Sequence, residues 1–162
     1  MTIGITGHQR LDDPTAWEWV QGALDDILEE NPGAVGVSSL AIGADQLFAG
    51  SILSHNMKLI AVIPCVEYAN TFDQTMVATY KSLLANATEK IQLSFISPSE
   101  KAFYAAGKKI ADLADILVAI WDGQPAKGLG GTGDIVKYAE EQHKDIIHIN
   151  PVSREVVYIY AD

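Results

Sequence analysis

The sequence has one cysteine, Cys65, and two arginines, Arg10 and Arg154. A single thiol excludes an internal disulfide and makes a reducing, cytoplasmic setting the default expectation. Cys65 follows Pro64 at the end of an apolar run, where an inert buried thiol is expected in preference to a nucleophile. Positive charge is scarce, with 11 Lys and Arg against 21 Asp and Glu and a net charge of −10 at pH 7. Phosphate neutralisation along a nucleic acid wants a basic stripe, so an extended nucleic-acid partner is not expected. A small anionic ligand remains open, because a local cradle of donors can outweigh the global field. No apolar stretch approaches the roughly 20 residues of a membrane span, so no membrane partner is expected. The first residues enter a strand-like run without a basic leader, and no secretory signal is read there. None of the four histidines has metal-ligand spacing with another His or Cys, so neither a metal nor a cofactor is expected.

What is present is a chain of 162 residues with 48% apolar content, enough for one domain with a sizeable core. Strand-like and helix-like runs alternate from end to end. Thr2 to Thr6 reads as a first strand. Asp13 suits an N-cap with Pro14 at the first helical position, and Val20, Leu24, Ile27 and Leu28 then recur at helical spacing. A strand at Ala34 to Val37 leads through Ser38-Ser39-Leu40-Ala41-Ile42-Gly43-Ala44-Asp45 to a helix ending near His55. Lys58 to Ile63 is apolar almost throughout, as in a strand covered on both faces. A helix is expected over Thr71 to Asn86, a strand at Ile91 to Phe95, and a helix from Glu100 to Leu113 with Phe103 and Ile110 among its core residues. A fifth strand runs to Trp121, a helix starts near Asp134, and a sixth strand covers Ile146 to Ile149. The pattern predicts an α/β fold: a single-domain, Rossmann-like, doubly wound and mainly parallel sheet of about six strands with helices on both faces. Residues 1–151 form that domain, and residues 152–162 form a C-terminal tail that is an edge strand or an oligomer contact. Trp19 lies off the apolar face of its helix and marks a candidate subunit interface.

Glycine and polar residues gather after the strands, at the edge where open α/β sheets bind ligands. The first loop supplies Gly7, His8 and Arg10, the second Ser39, Gly43 and Asp45, and the fifth Asp122 and the turn Gly130, Gly131, Thr132, Gly133, Asp134. Glycines between a strand and a helix let amides approach an anion, and the helix start adds donors and partial positive charge. These residues are the candidate ligand contacts. Several carry two readings. Arg10 forks onto a phosphate or pairs with Asp12 or Asp13. His8 donates to the ligand or bonds backbone. Asp45 caps its helix or holds a ribose hydroxyl, and Asp122 accepts from a ribose or pins the turn. Tyr68, Phe72 and Trp121 stack a base or line the core rim. Glu67 and Asp122 are the only candidates for a catalytic carboxylate.

In order and spacing, Gly4-Ile5-Thr6-Gly7-His8-Gln9-Arg10, Ser38 to Asp45, Ala61 to Pro64, Ala114 to Ala119 and Gly130-Gly131-Thr132-Gly133-Asp134 resemble the SLOG superfamily of Rossmann-like nucleotide-binding proteins. That group includes the Lonely guy phosphoribohydrolases and the DNA-processing protein A fold. The resemblance spans Gly4 to Pro151. It implies a binding protein, a sensor for a nucleotide or nucleotide-sugar of ADP-ribose or nucleoside-monophosphate type, with a homo-oligomer as the expected assembly. The alternative it implies is a phosphoribohydrolase or a nucleoside deoxyribosyltransferase-like enzyme acting on an N-glycosidic bond. The hydrolases carry a glutamate after the glycine turn, and the corresponding position here is Lys137. The second-loop outline of the DNA-processing proteins is kept, with Ile42 inside it.

Overall fold

A computed structural model describes residues 1–126 and 128–162. Its elements run β1 (Thr2–Gly7), α1 (Ala16–Glu30), β2 (Val35–Ser38), α2 (Ala44–Ser54), β3 (Leu59–Cys65), a 3-10 turn (Tyr68–Thr71), α3 (Val77–Ala85), β4 (Glu89–Phe95), α4 (Glu100–Leu113), β5 (Ile116–Ile120), α5 (Thr132–Glu141), β6 (Asp145–Asn150) and β7 (Glu155–Ile159). The sheet has seven strands in the order β4-β3-β2-β1-β5-β6-β7, one more than the sequence pattern led to expect. All neighbours pair in parallel except β6 and β7, which pair antiparallel with Ile147 opposite Tyr158. The chain builds outward from β1 through β2 and β3 to β4, then crosses back to start again at β5. The strand order therefore reverses between β1 and β5, and a crevice opens outside their carboxyl ends.

Alternation along the strands sends side chains to two core layers. Ile3 and Ile5 of β1 and Val118 and Ile120 of β5 join Leu24 and Leu28 of α1 and Phe48 and Ile52 of α2. On the other face, Leu117 and Ala119 meet Ala106 and Ile110 of α4 and Ile135 and Val136 of α5. Cys65 is buried, and desolvation pushes its thiol up, as an inert core thiol requires.

Two helices start later than the sequence reading expects, and both delays trace to an aspartate. The Asp13 carboxylate accepts from the amide and the hydroxyl of Thr15 at 3.1 and 2.6 Å, which makes a turn and delays α1 to Ala16. Asp73 does the same with Thr75 and also accepts from the Met76 amide at 2.9 Å. That turn delays the helix expected over residues 71–86, so that α3 starts at Val77 after a separate 3-10 turn. No described helix is long and apolar enough to cross a membrane.

Candidate functional site

The loops after β1, β2, β3, β5 and β6 and the first turns of α4 and α5 surround one cleft of about 1320 Å³ along the carboxyl edge of the sheet. Gly7, His8, Arg10, Ser39, Asp45, Asp122, Gly130, Gly131, Thr132 and Gly133 line it. Gly43 and Asp134 stand behind that lining and act on the backbone. Glu67 is exposed outside the lining, whereas Asp122 faces the cleft.

His8 ties the site together. Its amide donates to the Ile120 carbonyl of β5 at 3.0 Å, and its own carbonyl accepts from the Ala44 amide of α2 at 3.1 Å. Its Nε2 accepts from the Asp122 amide at 3.1 Å and lies 3.4 Å from the Asp122 carboxylate. Three loops are thus locked at the strand-order reversal by one residue. Asp122 also accepts from the Gln124 amide at 2.9 Å, so it pins the fifth loop. Burial raises its pKa, but the hydrogen bonds it accepts, foremost that from the Gln124 amide, hold the carboxylate below its usual range. Trp121 adds a second pin: its indole donates to the Gln124 carbonyl at 2.8 Å, and its ring packs on His148, which bonds the Trp121 carbonyl.

The glycines of the fifth loop are packed closely against the chain around them. Gly130 has φ 86°, a left-handed backbone that glycine adopts without strain. A Cβ on Gly130 would lie 3.0 Å from the Tyr104 backbone, one on Gly131 2.8 Å from Ala126 Cβ, and one on Gly133 2.9 Å from the Ala126 amide. What these glycines make room for is the loop's own chain and α4, not open ligand space. The Gly130 amide is already bonded, donating to the Asp134 carboxylate at 3.1 Å. Among the described residues, the amides of Gly131, Thr132 and Gly133 have no hydrogen-bond acceptor, and all three residues line the cleft. They are the donors that the start of α5 offers to an anion.

The second loop is drawn tight. The Ser38 hydroxyl donates to the Asp45 carbonyl at 3.0 Å and accepts from the Leu40 amide at 3.0 Å. Gln46 bonds the carbonyls of Ala41 and Leu40. Gly43, at φ 81°, is the N-cap of α2 and lies directly against the first loop: a Cβ there would come within 2.6 Å of the His8 carbonyl oxygen and would overlap that of Gln9. Asp45 sits in the first turn of α2 and is not its cap; it accepts from the Ala41 amide at 3.4 Å. Burial pushes its carboxyl up to about 7, and the Ala41 bond offsets only part of that.

Sequence reasoning missed three residues. Phe103, expected in the core, is 38% exposed and lines the cleft. Arg154, left in the tail, lines it too, so both arginines of the chain reach the same mouth. Arg154 Nη2 stands 3.8 Å from Asp13, and the Arg10 charge acts on Asp73. Glu100 adds a carboxylate from the start of α4, with an oxygen 2.8 Å from where a Gly128 Cβ would stand. A signal existed for all three. In a parallel sheet the β4–α4 and β6–β7 connections also leave from the carboxyl edge, so the start of α4 and the turn after Asn150 belong beside the other loops.

No family model matches the chain, and no curated protein matches it either. Solved structures do resemble it. DNA processing protein A from Helicobacter pylori, a structure described for its single-stranded DNA binding mode, is 20% identical with a TM-score of 0.68, over 93% of this chain and 65% of that one. DNA processing protein A from Streptococcus pneumoniae is 21% identical with a TM-score of 0.67, over 92% and 50%. The molybdenum cofactor binding protein from Rippkaea orientalis is 17% identical with a TM-score of 0.58, over 91% and 74%. The chain thus spans under two thirds of the first protein and half of the second. One expectation needs correction. The exclusion of an extended nucleic acid, drawn from the net charge and the scarcity of basic residues, fails, because a protein of this same fold binds single-stranded DNA. Net charge averages the whole surface, while a strand meets only the loops it touches. The architecture, the strand-order reversal and these likenesses together give the chain a Rossmann-like fold shared with DNA processing protein A.

Proposed function

We propose that the chain is a binding protein whose cleft captures a small nucleotide or nucleotide-sugar, of nucleoside-monophosphate or ADP-ribose type, in the manner of a sensor. The observation that carries this reading is the set of amides at Gly131, Thr132 and Gly133 that have no acceptor among the described residues, opening into a cleft at the strand-order reversal. Three donors and a helix start suit a phosphate, and Arg10 and Arg154 at the mouth suit a second anionic group. The enzyme reading needs a carboxylate free to act on an anomeric carbon. Asp122 is committed to the loop, so Glu100 is the better candidate for that role.

A second reading has its own support. The cleft runs along the sheet edge, and the Helicobacter pylori protein of this fold takes single-stranded DNA. A thermal-shift panel of AMP, ADP-ribose, NAD, the other nucleoside monophosphates and a deoxythymidine oligonucleotide separates the readings, with released base and ribose phosphate followed in parallel. We expect a rise in Tm of several degrees with at least one small nucleotide and no release. Release that disappears in Glu100→Gln would establish the enzyme, and a shift with the oligonucleotide alone would establish the nucleic-acid reading. No shift with any compound removes the cleft as a ligand site.

A further inference from the structure

The second loop holds two anomalies side by side. Leu40 is fully buried and adopts φ 60°, a left-handed backbone that is strained for a branched side chain. Its neighbour Ser39 is 8% exposed and lines the cleft, and its hydroxyl is the one buried side-chain polar atom among the described residues without a hydrogen-bond partner. The bonds of Ser38 and Gln46 hold the turn, and they fix the strain and the orphaned hydroxyl together. A buried hydroxyl left unpaired is costly in the free protein and is repaid by a ligand that supplies the missing partner.

The surroundings define that ligand. Asp45 lines the same cleft, and no cation contributes to keeping it charged. Burial, and then the nearby Asp45 carboxylate, push the Tyr68 hydroxyl well above its ordinary value, so it stays neutral. The Tyr68 ring packs edge-on against Phe72 and Tyr80 at 5.2 and 5.4 Å, and Phe103, which lines the cleft and is 38% exposed, lies 6.2 Å away. This end of the cleft thus offers an aromatic face backed by a fixed cluster, beside hydrogen-bonding groups with no guanidinium among them. An anion finds no partner there. A planar, uncharged ring with polar edges does.

We propose that this end is a nucleobase subsite, in which the base stacks on Phe103 and its polar edge pairs with the Ser39 hydroxyl and the Asp45 carboxyl. The proposal rests on the reading of the cleft as a nucleotide site and adds which part of the ligand discriminates. Stacking on one ring and one satisfied hydroxyl each carry enough to be measured as at least a tenfold change in affinity.

Calorimetric titration of the full chain with AMP, GMP, CMP, UMP, ribose 5-phosphate and inorganic phosphate tests it. At least one nucleoside monophosphate should bind tenfold or more tightly than ribose 5-phosphate. Phe103→Ala and Ser39→Ala should each weaken that nucleotide at least tenfold while leaving ribose 5-phosphate within twofold. Ser39→Ala also removes an unpaired buried hydroxyl, so its Tm should equal or exceed that of the parent, which separates lost binding from lost folding. If ribose 5-phosphate binds as well as every nucleotide, or if Ser39→Ala and a folded Phe103→Ala bind the nucleotide as the parent does, the subsite is wrong and the cleft reading stands. If none of the six compounds binds, both fall.

Discussion

Gly43→Ala is expected to lower the unfolding free energy by about 2–4 kcal/mol, the sum of placing a side chain at φ > 0 and of forcing an overpacked contact. The new methyl group would approach the His8 carbonyl oxygen at 2.6 Å and overlap that of Gln9, and neither atom can withdraw. The Gln9 and His8 backbone is held because the His8 amide and carbonyl bond β5 and α2 on either side. For a chain of this length the loss corresponds to a fall in Tm of roughly 10 °C. Urea unfolding followed by circular dichroism measures it. A change smaller than about 0.5 kcal/mol would mean that the first two loops are not locked together as described.

Asp45→Asn has the opposite sign and a pH signature. In the folded chain the Asp45 carboxyl titrates at about 7, against an ordinary value of 3.8. The folded state therefore holds a proton that the unfolded state has lost between those two values. Stability from this group is complete below about pH 4, declines as pH rises toward 7, and stays low above it. Asparagine resembles the protonated form and still accepts from the Ala41 amide. The variant should match the parent near pH 4 and exceed it at pH 8 by about 2 kcal/mol; the full shift would give more, but part of Asp45 still faces the open cleft. Comparing the two proteins at each pH cancels Asp13 and Asp73, whose carboxyls are held low by hydrogen bonds from Thr15 and Thr75 and act only below about pH 4. A variant no more stable than the parent at pH 8 would show that Asp45 is charged without penalty.

Much of this architecture could be read from residue order. The apolar run at β3, the Ser99-capped helix that begins at Glu100, and the alternation of strands and helices follow from local pattern alone. So does the gathering of loops at one edge, since parallel strands joined by helices must turn there. What pattern could not supply depends on neighbours distant in sequence. The reason for Gly131 and Gly133 lies in Ala126, which folds back against them, and not in ligand space. The Ser39 hydroxyl looks like any other loop serine until its surroundings are known to leave it unpaired. Phe103 sits one position round the helix from Ala102, which is fully buried, and its exposure reflects the cleft that opens beside the first turn of α4. The helix break at Asp73 has a local cause, since Asp73 and Thr75 form an Asp-x-Thr turn.

In the proposed arrangement one cleft at the reversal of strand order takes a nucleotide, with its phosphate at the start of α5 and its base at the second loop. Amide chemical-shift mapping of the ¹⁵N-labelled chain, titrated with the nucleoside monophosphate that gives the largest thermal shift, tests it most directly. That arrangement predicts saturable shifts at the amides of Gly131, Thr132 and Gly133 together with Ser39. Shifts confined to other surfaces, or none at millimolar nucleotide, would contradict it.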